Sequence, residues 1–176
     1  AALNATLGAW SDSERYSKTV ALSRSGLSSL TSYIDYAVKP QLAQELGQVP
    51  DDLTFVFGHT HKPFVEEIVP SQGNTVPVCN TGGWYLDNIR LDSADGAAMV
   101  LIDEHLNAVW VRYFAVPINR TVPETLVTLV SKPSDSAKAF LDQIRAWVEA
   151  DSLLWRGLSK TASKDYRLRQ TAELPA

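Results

Sequence analysis

LTFVFGHTHKP, running from Leu53 to Pro63, is the most informative stretch of the chain. Five apolar or β-branched residues, Leu53 to Phe57, continue without a polar interruption into Gly58, which predicts a buried strand that stops abruptly. Two of the chain's three histidines, His59 and His61, follow with one residue between them, and Pro63 fixes the exit of the loop. In extended backbone, residues two apart share a side and their Cα atoms lie roughly 6.5–7 Å apart. Metal-to-imidazole bonds of about 2.0–2.1 Å then let each ring reach a different member of a metal pair about 3.5–4 Å apart. Nitrogen donors of this kind suit Mn, Fe, Zn or Ni better than Ca or Mg. Gly58 lets backbone come near such a centre with no Cβ in the way. Taken alone, a His-x-His pair is equally compatible with two loop histidines that bind nothing.

The surroundings sharpen the reading. Gly58-His59-Thr60-His61-Lys62-Pro63, preceded by a hydrophobic strand and followed by Asn80-Thr81-Gly82-Gly83-Trp84, resembles the last motif block of the calcineurin-like metallophosphoesterases. The resemblance implies that His59 and His61 each supply a ligand to one of two divalent metals, and that Asn80 begins a turn beside them. It also implies earlier blocks, an Asp-x-His, a Gly-Asp, a Gly-Asn-His and a further histidine, that this sequence lacks. His105, the third histidine, lies downstream, whereas the missing blocks belong upstream. The chain opens on Ala1 and its one methionine is Met99, so the expectation is a C-terminal part of such an enzyme.

Composition bounds the alternatives. The 176 residues fall in the single-domain range and, with 45% hydrophobic and 20% charged residues, describe an ordinary globular chain. Cys79 is the only cysteine, which excludes an internal disulfide; it reads as a small buried hydrophobe at a strand end. No apolar run is long enough for a transmembrane segment, and no signal peptide is visible, so the expected location is cytoplasmic. A net charge of −4 argues against a general nucleic-acid surface.

Along the chain, residues 1–16 show no clear period. Leu27, Leu30, Ile34, Ala37 and Val38 recur at helical spacing and predict a helix over 17–38, broken or kinked at Pro40, with a further turn or two ending at Gly47. After the histidine loop, Phe64–Val69 and Thr75–Cys79 predict a hairpin around a Ser71–Asn74 turn, and Leu86–Leu91, Ala97–Asp103 and Val109–Val116 predict three more strands. The short connections favour antiparallel neighbours. Residues 117–133, with three prolines, read as a linker-like crossing. Ser134-Asp135 can then cap a helix whose Phe140, Leu141, Ile144, Trp147 and Val148 form one apolar face.

The expected fold class is therefore α+β. By the resemblance it is the C-terminal half of a metallophosphoesterase-type αββα sandwich, mostly antiparallel, with flanking helices and one sheet face awaiting cover. Two regions are expected: a partial phosphoesterase domain over 1–133, and a C-terminal helix with a basic tail over 134–176. Residues 151–176 hold five Lys or Arg against three acids, a balance that could touch an acidic partner or a membrane surface.

The resemblance implies a phosphate-ester substrate, monoester or diester, and hydrolysis assisted by two ions that polarise the phosphoryl oxygens. The remaining ligands would come from a missing N-terminal segment, in cis or as a separate chain, without which the chain is expected to be inactive. Lys62 could pair with a phosphate oxygen or simply be solvated, and Trp84 could line the substrate pocket or be a packing residue. The other reading is a non-catalytic protein-interaction module on the same kind of fold, as in some scaffolding relatives, with the 134–155 helix as an oligomer or partner contact.

Overall fold

In a computed structural model of the chain, the described residues are 22–58, 62–82, 96–115 and 125–173. The predicted strand over 86–91 lies outside them, as do residues 17–21 of the first predicted helix. The fold is α+β, with helices flanking two three-stranded sheets.

Helix α1 spans Arg24–Tyr33 and is opened by Ser23, whose Oγ accepts from Gly26 N at 3.0 Å. A π-turn over Ile34–Val38 follows, and α2 runs Lys39–Leu46 with Pro40 in its first turn. Pro40 has no N–H to give the Tyr36 carbonyl, and its ring would press on that carbonyl in a regular helix. One extra residue per turn just ahead of it relieves the clash, and Lys39 N donates back to Ile34 O. Pro40 therefore widens the helix where the sequence predicted a break or a kink. Gly47, at φ +78°, ends it in the left-handed conformation that glycine adopts without penalty.

Strands β1 (Phe55–Phe57), β2 (Phe64–Ile68) and β3 (Val76–Asn80) form the first sheet in the order β1-β3-β2. β2 and β3 make the predicted hairpin, in register from Phe64 opposite Asn80 to Ile68 opposite Val76. β1 lies parallel to β3, with Phe57 opposite Asn80. The second sheet holds β4 (Gly96–Ile102), β5 (Ala108–Ala115) and β6 (Leu126–Leu129), all antiparallel, in the order β4-β5-β6. β6 corrects the linker reading of 117–133: Leu126–Leu129 alternates with period two and pairs with Val109–Arg112.

Three apolar clusters fix the layer order. Ile34 from the π-turn packs on Phe64, Ile68, Val76 and Val78, covering one face of the first sheet. Cys79, Ala98, Ala108, Trp110 and Val130 fill the space between the sheets, with Val65 against them. Helices α3 (Asp135–Ala150) and α4 (Ser152–Glu173) cover the outer face of the second sheet through Leu141, Ile144 and Trp155 on Val109, Val111 and Tyr113. The order is helix, sheet, sheet, helix, and each sheet has a helical cover within this chain, where the sequence left one face bare. α3 starts where predicted, with Ser134 Oγ accepting from Ala137 N at 3.1 Å. The basic tail is itself a 22-residue helix, α4, a length the interrupted apolar pattern beyond Trp155 did not reveal.

Candidate functional site

The parallel pairing of β1 with β3 governs the site. Because both strands run the same way, the loop that begins at Gly58 and the turn that begins at Asn80 leave the sheet at the same end. Thr81 N extends the ladder by donating to Phe57 O at 3.2 Å. A Cβ built on Gly58 would sit 3.2 Å from Thr81 Oγ1, so the start of the histidine loop lies against the Asn80–Gly82 turn. The two sequence blocks on which the resemblance rests are thus neighbours at their described ends. His59, His61 and Trp84 themselves lie outside the described residues.

Asn80 is the hub of this end. It is 0% exposed, and its Oδ1 accepts from Gly82 N at 2.6 Å, an Asx turn that closes the chain back on itself. Its backbone carbonyl accepts from Trp110 Nε1 at 3.3 Å across the gap between the sheets. Among the described residues its Nδ2 meets no hydrogen-bond partner, an uncommon state for a buried amide. Trp110 read only as a strand residue in the sequence. The available signal was chemical: a tryptophan within an apolar strand has to place its N–H somewhere.

Gly82 locks the turn to its surroundings. At φ +71° it bridges to Ala97, while Ala98 N donates to Thr81 O at 2.8 Å, joining the end of β3 to the start of β4. A Cβ there would lie 2.8 Å from both Gly96 O and Pro63 Cδ, so only glycine fits. Pro63, the exit of the histidine loop, is thereby held against the Asn80 turn. Gly96 stands opposite Ala115, so the segments 59–61, 83–95 and 116–124 all depart from this end of the two sheets.

Other candidates fall into place around this end. Lys62, which one reading left solvated, is only 3% exposed. Cys79 is buried between the sheets, as expected, and desolvation pushes its thiol up to about 11, so it stays protonated at neutral pH. His105 is exposed in the β4–β5 turn at the far end of a seven-residue strand, about 20 Å from Gly96. That turn is organised by Asp103, whose Oδ1 accepts from His105 N and Asn107 N and whose Oδ2 accepts from Asn107 Nδ2. Burial opposes the Asp103 charge, yet these bonds from Asn107 and His105 outweigh it and hold the carboxyl below its ordinary range.

The donor chemistry available for metals is limited. Among the described residues no group of three or more His, Cys, Asp or Glu could hold an ion. Asn80 Oδ1 is committed to Gly82 N, and Cys79 is packed between the sheets with Ala98, Ala108 and Trp110. The imidazoles of His59 and His61 are in kind suited to borderline metals, and two such donors fall short in number of a full coordination shell. Comparison of the chain with protein-family models, with curated proteins and with solved structures finds no match.

Proposed function

We propose that this chain is the C-terminal region of a dinuclear metal-dependent phosphoesterase acting on phosphomonoesters or phosphodiesters. The observation that carries the reading is the parallel β1–β3 pair, which sets the Gly58 loop directly against the Asn80–Gly82 turn. The helix-sheet-sheet-helix layering is consistent with the αββα sandwich that the resemblance implies. In this reading His59 and His61 would each hold one ion, a pair of Mn, Fe, Zn or Ni. Such ions, when bound, lend Lewis acidity to the phosphoryl oxygens.

This chain's own residues have more modest tasks. Gly58 and Gly82 keep backbone close around the loop base, and Pro63 holds the loop exit. Asn80 orders the turn through Oδ1, leaving Nδ2 as a donor for an acceptor that arrives with the ligand or with the rest of the enzyme. Lys62 places a cation next to the histidines in the chain, where a phosphate oxygen could meet it. The other ligands and the general acid come from a segment outside these 176 residues, in cis or as a separate chain.

Metal content and hydrolysis together test the proposal. Dialysed against low-micromolar manganese or zinc, the chain alone should retain well under one ion and should not cleave aryl phosphate esters, because two imidazoles cannot outcompete water and buffer. In the parent protein, about two ions per chain and hydrolysis are expected. Both should be lost in the His59→Ala/His61→Ala variant. Unchanged hydrolysis in that variant would overturn the ligand assignment.

A further inference from the structure

Helix α4 carries a surface that the site does not use. Its inner face is occupied, since Trp155 and Ser159 are buried and Ala162 packs against the same cluster. Its outer side is unusually apolar: Leu153 is 85% exposed, Leu154 70% and Leu168 58%, and Leu158 is also exposed. At 100° per residue these leucines span one broad arc, which the exposed Thr161 and Asp165 share, and the exposed Lys160 and Lys164 fall beside Leu153 on the same side. Trp147, 46% exposed, continues the patch from α3, its ring edge-on to Trp155 with centroids 5.4 Å apart.

Charge says what such a surface suits. Residues 152–173 hold five Lys or Arg against two acids, although the whole chain is at −4, so α4 is a cationic strip on an anionic protein. The exposed leucines extend from Leu153 to Leu168, roughly 22 Å of helix, spread along its length rather than gathered at one point. Dispersed leucines with a half-exposed tryptophan and long lysines, whose stems lie along apolar surface while their ammonium groups reach outward, match the headgroup boundary of a bilayer. The helix is not long and apolar enough to cross a membrane, so it would lie on one.

We propose that the outer face of α4, with Trp147 at its edge, docks the protein onto an anionic lipid surface. The leucines enter the headgroup and acyl boundary while Lys160 and Lys164 meet lipid phosphates and carboxylates. The inference is independent of the phosphoesterase reading, because none of these residues belongs to the Gly58 or Asn80 segments.

Vesicle co-sedimentation of the full chain tests it, using phosphatidylcholine alone and phosphatidylcholine with about 30% phosphatidylserine. Binding should be confined to the anionic vesicles and should fall steeply as salt rises from about 0.1 M to about 0.5 M. Lys160→Glu and Lys164→Glu should each weaken binding about fivefold or more. Leu154→Glu/Leu158→Glu should abolish it with the circular-dichroism melting curve unchanged, since both positions are solvent-exposed. Equal binding to neutral vesicles, or anionic binding that survives the leucine variant, would overturn the proposal. So would a chain that ignores both vesicles but is retained on polyglutamate, which would point to an acidic protein. A dimer in sedimentation equilibrium that dissociates in the leucine variant, with no vesicle binding, would refute it in favour of a second copy.

Discussion

Replacing Gly82 by alanine tests the central packing claim. The added Cβ meets two costs of different origin. Backbone at φ +71° disfavours any residue with a Cβ by about 1–2 kcal/mol. The second cost is steric: the Cβ would stand 2.8 Å from Gly96 O and from Pro63 Cδ, neither of them the end of a flexible side chain. Comfortable carbon contacts are nearer 3.5–4.0 Å, so backbone must move by several tenths of an ångström. That movement strains the bonds from Gly82 N to Asn80 Oδ1 and from Ala98 N to Thr81 O, each contributing about 1 kcal/mol. The expected total is about 3–4 kcal/mol. Gly47→Ala is the control, because Gly47 has φ +78° and nothing within 4 Å of its would-be Cβ, so only the backbone cost of about 1–2 kcal/mol applies. In urea, with an m-value of about 2 kcal/mol/M, Gly82→Ala should lower the midpoint by about 1.5–2 M and Gly47→Ala by about 0.5–1 M. A second readout follows the loop: the imidazole resonances of His59 and His61 should move in Gly82→Ala and stay in place in Gly47→Ala. Equal midpoints for the two variants would refute the close approach of Gly82 to Pro63 and Gly96.

Leu106 sits at φ +62° with its side chain exposed, so Leu106→Gly should relieve backbone strain and leave the core untouched, raising stability by about 1 kcal/mol at constant m; a lower urea midpoint would show that the strain is compensated. The hydroxyl and amide of Ser71, with Lys39, pull the Asp35 carboxyl down from 3.8 to about 2. A depressed folded pKa means that this stabilisation is complete above about pH 4 and fades as pH falls toward 2, so acid-unfolding curves of wild type and Asp35→Asn should converge over that window and differ above it. Cys79, buried with its thiol near 11, should resist disulfide reagents at pH 8 and react stoichiometrically once the chain is unfolded in urea; rapid reaction in the native state would contradict its place between the sheets.

Local patterns carried most of the fold. The hairpin segments about Ser71–Asn74 gave their strands; the apolar run to Phe57 gave a strand too, though of three residues and with Val56 exposed rather than buried; and Gly47 and Ser134 marked helix ends by the conformations and caps they adopt. What stayed hidden was set by partners distant in sequence. Leu126–Leu129 lies beside a proline-rich stretch, and only pairing with β5 makes it a strand. The parallel placement of β1 beside β3 could not be read from either segment, because a strand's own residues do not name its neighbour. At the site, the His-x-His spacing and the Asn-Thr-Gly-Gly turn were visible as residue types. The resemblance alone placed the Asn80 turn beside the histidines; the burial of Lys62 and the Trp110 bond to Asn80 were not visible, the second because it depends on how two sheets meet.

The two ends of the β1–β3 pair differ in a way that bears on where chemistry belongs. At the amino end, the turn after β2 is closed on itself: Asp35 Oδ2 accepts from both Ser71 N and Ser71 Oγ, Lys39 bonds Asp35 and the Gln72 carbonyl, and Asn74 Nδ2 reaches Asp51 O. Lys132 adds a bond to Asp51 O and an ion pair to Asp52, tying that end to the stretch after β6. The cleft there, of about 590 Å³ between α2 and the Ser71–Asn74 turn, is lined by groups that already satisfy one another. At the carboxyl end the backbone is equally fixed, by Gly82, Trp110 and the Asx turn, yet Asn80 Nδ2 is left without an acceptor among the described residues. A rigid frame that strands a buried donor incurs a desolvation cost of about 1–3 kcal/mol, and a ligand or a further segment bringing an acceptor recovers it. The same reasoning makes the amino end a poor place for a site, since any ligand there must first break bonds that the fold already makes. The asymmetry favours the Gly58 and Asn80 end over the amino end as a place for a ligand, on grounds independent of the histidines that first drew attention to it.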